Sequence, residues 1–100
     1  MKIKKVITAT GNENLSNVLK KNNINVLCPD IQYKEGILEY LEKNIKIDYI
    51  VLNEELDGLI TIEELIKEIR KINENIKILI ISSKTYNEEK IIKIINNNKI

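Results

Sequence analysis

One hundred residues, 43% hydrophobic and 31% charged, suffice for one globular domain with one core, and His, Trp and Phe are all absent. The net charge of +1 divides into eight Lys against six acids in residues 1–50 and eight Lys/Arg against nine acids in residues 51–100. No basic stripe is available to neutralise a phosphate backbone, so nucleic-acid binding is not expected. Without histidine, catalytic triads and histidine-ligated metals are closed off. A single cysteine excludes an internal disulfide and suits a reducing compartment. There is no signal-peptide apolar region and no apolar run of bilayer length, so the expected setting is cytoplasmic, without membrane insertion.

Four short apolar runs alternate with four segments of helical period. Residues 2–8 (KIKKVIT) predict a first strand. Residues 12–22 predict a helix with Leu15, Val18 and Leu19 on one face. A second strand is expected over residues 24–28 (INVLC), stopped by Pro29-Asp30, and a second helix over residues 34–44 with Ile37, Leu38, Leu41 and Ile45 inward. Residues 48–53 predict the third strand. The clearest helix covers residues 61–73, where Ile62, Leu65, Ile66, Ile69 and Ile72 recur at helical spacing, and Thr61 with Glu64 forms a capping box. Residues 76–82 predict a fourth strand and residues 87–96 a last helix bearing Ile91, Ile92 and Ile95. Only the Asn96-Asn97-Asn98 tail is low in complexity.

The third and fourth strands (YIVL, ILII) are apolar without alternation, as expected where helices cover both faces of a parallel sheet. Strict βα alternation with right-handed crossovers then predicts one α/β domain over residues 1–100. It is a doubly wound parallel sheet of order 2-1-3-4. Ligands of such sheets bind at the carboxyl ends of the strands. Those ends are residues 8–12, 28–32, 53–57 and 82–85.

Each end offers a candidate. After the third strand, Glu54, Glu55 and Asp57 put three carboxylates on one turn. Oxygens suit Mg²⁺, but no second acidic cluster completes a shell, and a solvated turn preceding a helix is the plainer reading. Cys28 ends a strand with no histidine to activate it and reads as a buried structural residue. Ser82-Ser83-Lys84-Thr85 reads as a strand exit. Thr8-Ala9-Thr10-Gly11-Asn12 resembles the phosphate loop of flavodoxins, T-x-T-G-N-T. That resemblance implies anion binding by Thr8, Thr10, Gly11 and Asn12 at a helix start, and flavin phosphate as the ligand. Glu13 stands where the last hydroxyl belongs, so a phosphate is expected to be repelled. Read from the residues alone, Gly11 is a turn glycine.

The stretch IDYIVLNEELDG, followed one crossover later by IKILIISSK, resembles the receiver domains of response regulators. Carried over by position, the resemblance puts Asn53 at the phosphoacceptor, Leu56-Asp57-Gly58 in the turn and Ser82 at the switch hydroxyl. The acidic pair expected after the first strand reads Thr8-Ala9-Thr10, and the chain stops at Ile100 before a fifth strand with its lysine. An amide at position 53 is no nucleophile of the carboxylate kind. The resemblance therefore implies a pseudo-receiver with a degenerate pocket of Thr8, Thr10, Asn53 and Ser82, no catalytic residues, no metal and no cofactor. The whole pattern is also similar to the receiver-like domain that precedes a ParA/MinD-type ATPase of the CpaE kind. The expected function is a non-catalytic regulatory or interaction domain that binds protein, either its own copies or a neighbouring ATPase. The expected contact is a homodimer through the fourth strand and last helix. The alternatives are a small phosphate or flavin-nucleotide binder using the Thr8–Asn12 loop, and an atypical receiver phosphorylated on Glu54, Glu55 or Asp57.

Overall fold

Four β-strands and four α-helices alternate along the chain: β1 (Lys5–Ala9), α1 (Asn14–Lys21), β2 (Asn25–Val26), α2 (Lys34–Lys43), β3 (Tyr49–Asn53), α3 (Ile62–Ile72), β4 (Lys77–Ile81) and α4 (Glu88–Asn96). This computed structural model describes residues 4–43, 46–82 and 86–97. All strand pairs are parallel and the sheet order is β2-β1-β3-β4, a doubly wound α/β arrangement of flavodoxin-like kind.

The continuous apolar reading of β3 follows from what lies on its two faces. Ile50 and Leu52 enter a core with Ile37 and Leu41 of α2 and Leu65 and Ile69 of α3. Tyr49 and Val51 enter the opposite core, with Leu15 and Leu19 of α1 and Ile91 and Ile95 of α4. All five residues of β3 are buried. Each large aliphatic side chain removed from water in this way contributes about 1.5–3 kcal/mol. β4 differs, since only Ile81 of its five residues is buried and it forms one end of the sheet order.

Element ends follow local chemistry. Thr61 Oγ1 accepts from Glu64 N–H at 3.1 Å while Glu64 Oε1 accepts from Thr61 N–H at 2.9 Å, so the capping box forms as its sequence implies. α1 ends where Asn23 adopts φ 64°, the left-handed conformation asparagine tolerates, and Ile24 N–H returns to the Leu19 carbonyl. α1 begins two residues later than its pattern predicts, because Asn12 Oδ1 caps Asn14 N–H from outside the helix.

The largest departure from expectation is β2, two residues where five are predicted. Leu27 N–H still reaches the Val6 carbonyl, and Ile31 N–H reaches the Thr8 carbonyl at 2.9 Å. Between them Cys28, Pro29 and Asp30 leave the ladder. Proline has no N–H to give it, and the excursion delivers Asp30 to the end of β1. The expected strand residues Lys2 and Ile3, the helix-face residue Ile45 and the strand exit Ser83-Lys84-Thr85 lie outside the described residues.

Candidate functional site

The carboxyl end of β1 supplies hydrogen-bond donors from Thr8, Thr10 and Gly11, and a turn glycine lets them converge. Gly11 has φ 91°, and a Cβ built there meets nothing closer than Leu56 Cδ1 at 3.9 Å, so backbone conformation rather than space requires glycine. The resulting concavity contains a carboxylate from the chain itself. Asp30, buried, takes Thr8 Oγ1 at 2.7 Å and Thr10 N–H at 2.9 Å on Oδ1, and Gly11 N–H at 2.7 Å on Oδ2. Gln32 Nε2 stands 3.3 Å from Oδ2. Thr10 Oγ1 lies 2.8 Å from both Asp30 Oδ1 and the Asn12 carbonyl, with one proton to give between them.

Desolvating a carboxylate is costly unless such donors replace its water. The donors of the loop therefore stabilise Asp30, and Asp30 satisfies donors that would otherwise be orphaned. Thr8, Thr10 and Gly11, the loop residues with an expected role toward an external anion, all bind this internal one. Asn12 does not face it through its side chain and serves as the cap of Asn14. Glu13 is not aimed at a phosphate position either: its Oε2 accepts the Asp30 N–H at 3.0 Å and so holds the residue that fills the loop.

Asn53 lies at the neighbouring strand end, also buried. Its Oδ1 accepts from Glu55 N–H at 2.9 Å and its Nδ2 points to the Thr10 carbonyl at 3.4 Å. The amide thus uses one acceptor and one donor, a combination a carboxylate lacks. Ser82 is further along the sheet, next to Ile81, which pairs with Asn53 in register. Its carbonyl accepts from Tyr86 N–H, and the residue borders a groove between β4 and α4. Thr8, Thr10 and Asn53 are thus brought together around Asp30, with Ser82 at their margin.

The acidic turn after β3 is held from below by the start of α2. Lys34 N–H donates to the Asp57 carbonyl at 2.8 Å and Lys34 Nζ to the Leu56 carbonyl at 2.6 Å, although the lysine is buried. Glu35 Oε2 accepts from Leu59 N–H and Ile60 N–H at 2.8 and 3.1 Å. Its own main-chain N–H first, and then that of Leu59, hold the Glu35 carboxyl below the ordinary glutamate range. Gly58, with φ 147°, passes so close that an added Cβ would lie 2.8 Å from Glu35 Oε1 and 2.9 Å from Lys34 Cβ. Glu54, Glu55 and Asp57 are exposed, and among the described residues no group of three acids, cysteines or histidines is placed to hold a metal ion.

Cys28 corrects a second expectation. It is half-buried rather than buried, and borders an open surface pocket with Tyr33, Gly36 and Tyr40. Partial burial pushes its thiol up, and the nearby Asp30 and Glu13 charges add to this, while a hydrogen bond with Tyr40 acts the other way.

No family model, curated protein or solved structure matches the chain. The receiver and flavodoxin likenesses therefore stand on the quoted residues and the order of elements. The residues that close the site, Asp30, Lys34 and Glu35, are the ones sequence reading missed. Asp30 was visible only as part of a strand stop, and a Pro-Asp pair at a strand end in a doubly wound sheet was the available signal.

Proposed function

We propose that the chain is a non-catalytic, receiver-like interaction domain, regulatory in role, that acts by binding protein. The observation that carries this reading is the Asp30 carboxylate seated among Thr8, Thr10 and Gly11. Doubly wound sheets take ligands at this position, and here the chain's own anion uses the donors an incoming phosphate would need. The neighbouring phosphoacceptor position holds an amide engaged on both sides. A phosphoryl or flavin-phosphate ligand would have to displace Asp30, which is why the binding-module reading is preferred to either alternative. The partner is another protein, such as the ATPase domain that the receiver-like resemblance implies, and the receptive surface is the edge formed by β4 and α4.

Incubation with a small acyl phosphate and Mg²⁺, followed by intact mass, tests this. No phosphoryl addition is expected, and none after Asn53→Asp, since the residues of an acidic pair are still lacking. A stoichiometric adduct on Asp57 or Glu54 would overturn the reading. Titration of flavin mononucleotide should leave its fluorescence unchanged. Micromolar quenching abolished by Thr10→Ala would establish the phosphate-loop alternative instead.

A further inference from the structure

The outer side of β4 meets no other strand among the described residues. Lys77 N–H donates to the Asp48 carbonyl and the Ile81 carbonyl accepts from Glu54 N–H, so these residues direct their main chain toward β3. Alternate residues of a strand direct theirs to opposite sides. The N–H and C=O groups of Ile78 and Ile80 therefore face outward. Beside them a groove runs between β4 and α4, walled by Leu79, Ile81, Tyr86, Ile91 and Ile94. Ile94 is 37% exposed in the groove, and Ile80, whose register partner Leu52 lies in the opposite core, is 44% exposed, so the edge is apolar as well as unpaired.

A lysine lines each end of this edge. Lys90 lines the groove near Ser82, and Lys77 lines its continuation at the other end of β4. Lys4 and Lys77 both stand over the Tyr49 ring, at 5.5 and 5.8 Å from its centre. Among the described residues no carboxylate lines the groove, although Glu88 lies beside Tyr86 at one mouth.

We propose that this edge accepts an extended segment of another protein as an added strand, with apolar residues at alternate positions and acidic residues at its two ends. Main-chain hydrogen bonds to Ile78 and Ile80 supply the pairing, and the groove takes the apolar side chains. The inference rests on the interaction-domain reading and specifies the partner's chemistry. A second copy of the chain fits less well. Antiparallel pairing of β4 with itself brings Lys77 of one copy to the Ile81 end of the other, where Lys90 stands, so cation meets cation. Lysines on a bare edge deter pairing of like with like, whereas an acidic segment meets opposite charge at both ends.

The test uses two synthetic heptapeptides, Glu-Val-Thr-Ile-Thr-Val-Glu and Lys-Val-Thr-Ile-Thr-Val-Lys, titrated into the protein and followed by amide NMR and hydrogen exchange. The acidic peptide is expected to bind roughly tenfold more tightly, the product of two surface ion pairs worth about threefold each. It should slow exchange at the Ile78 and Ile80 amides. Ile80→Pro should abolish binding while the fold survives, since the lost N–H points away from β3 and proline is tolerated on an outer edge. Should that variant unfold, the double charge reversal Lys77→Glu with Lys90→Glu serves instead, and it should exchange the preference to the lysine-flanked peptide. Equal affinity for the two peptides, absence of binding, or binding without protection at Ile78 and Ile80 overturns the proposal. So does a mass that doubles with concentration and falls on Ile80→Pro, which would assign the edge to a second copy. All these outcomes are independent of phosphoryl uptake, the result that would sink the interaction-domain reading itself.

Discussion

Two regions of this sheet treat their polar groups in opposite ways. At the carboxyl ends of β1 and β3, Thr8, Thr10, Gly11 and Asn53 are joined to one another or to Asp30, and α2 reaches across to bind the next turn through Lys34 and Glu35. Along β4 the outward main chain of Ile78 and Ile80 meets no strand among the described residues. Position in the fold alone would make the first region the ligand site, because the parallel sheet directs its loops there. The hydrogen bonds reverse that expectation: a crevice whose donors are already paired gains little from a ligand, whereas unpaired main chain beside apolar surface gains from any strand that fits.

The sharpest way to break this comparison is to remove the internal anion. Asp30→Ala leaves the N–H groups of Thr10 and Gly11 and the Thr8 hydroxyl without their acceptor in a buried place. Unsatisfied buried donors cost about 1–3 kcal/mol each and do not add fully, so a loss of about 3–5 kcal/mol is expected in urea unfolding. Asp30→Asn keeps one oxygen and should lose about half as much. If both variants unfold at the wild-type urea midpoint, the carboxylate does not hold the loop, and the crevice is open to ligands after all.

Next in size is the clamp between α2 and the turn after β3. Gly58→Ala places a methyl group against Lys34 and Glu35 at a backbone angle that L residues avoid. A cost of about 2–3 kcal/mol is expected from strain and displacement together, again by urea unfolding. Little change would mean that this turn moves freely over α2.

Glu35 gives a smaller, pH-dependent effect. Its carboxyl is held below the ordinary range when folded, so its contribution to stability is complete above the unfolded glutamate value. That contribution is lost as pH falls through the lower folded value. Thermal unfolding from neutral to acid pH should therefore show a shallower acid decline in Glu35→Gln than in wild type. Identical slopes would show that the Leu59 and Ile60 contacts do not favour the charged form.

The alternation of patterns made the sheet legible in the sequence: YIVL marked a strand covered on both sides, and the spacing of Leu65 and Ile69 marked the inner face of α3. Apolar periodicity reports burial directly, so it locates cores well. The site was less legible because it depends on a residue brought in from another strand end. Thr8, Thr10 and Gly11 could be identified as a donor-rich loop, but their sequence is the same whether an outside phosphate or Asp30 fills it. The residues are 19 to 22 positions apart, and only the kink at Pro29 joins them. β4 illustrates the converse, since its pattern predicts two covered faces whereas Ile80 is exposed. Residue type alone does not distinguish an interior strand from one at the end of the sheet order.

The smallest expected effect lies at that edge, and its smallness is what makes it informative. Ile80→Thr keeps a β-branched side chain that suits a strand and removes apolar surface already 44% exposed, so little burial is lost. A change within about 0.5 kcal/mol is expected by urea unfolding, as for most surface substitutions. Binding should nevertheless fall several-fold in a titration with the acid-flanked heptapeptide, because the same side chain contributes to the apolar margin a partner would cover. The main-chain pairing at Ile80 is retained in this variant, so protection of its amide in the bound state should persist at saturation. A side chain selected only for the fold would give the opposite result, with stability falling and peptide affinity unchanged. That result would place Ile80 with Leu65 and Ile69 as a residue of the core and remove the contrast between the closed crevice and the open edge.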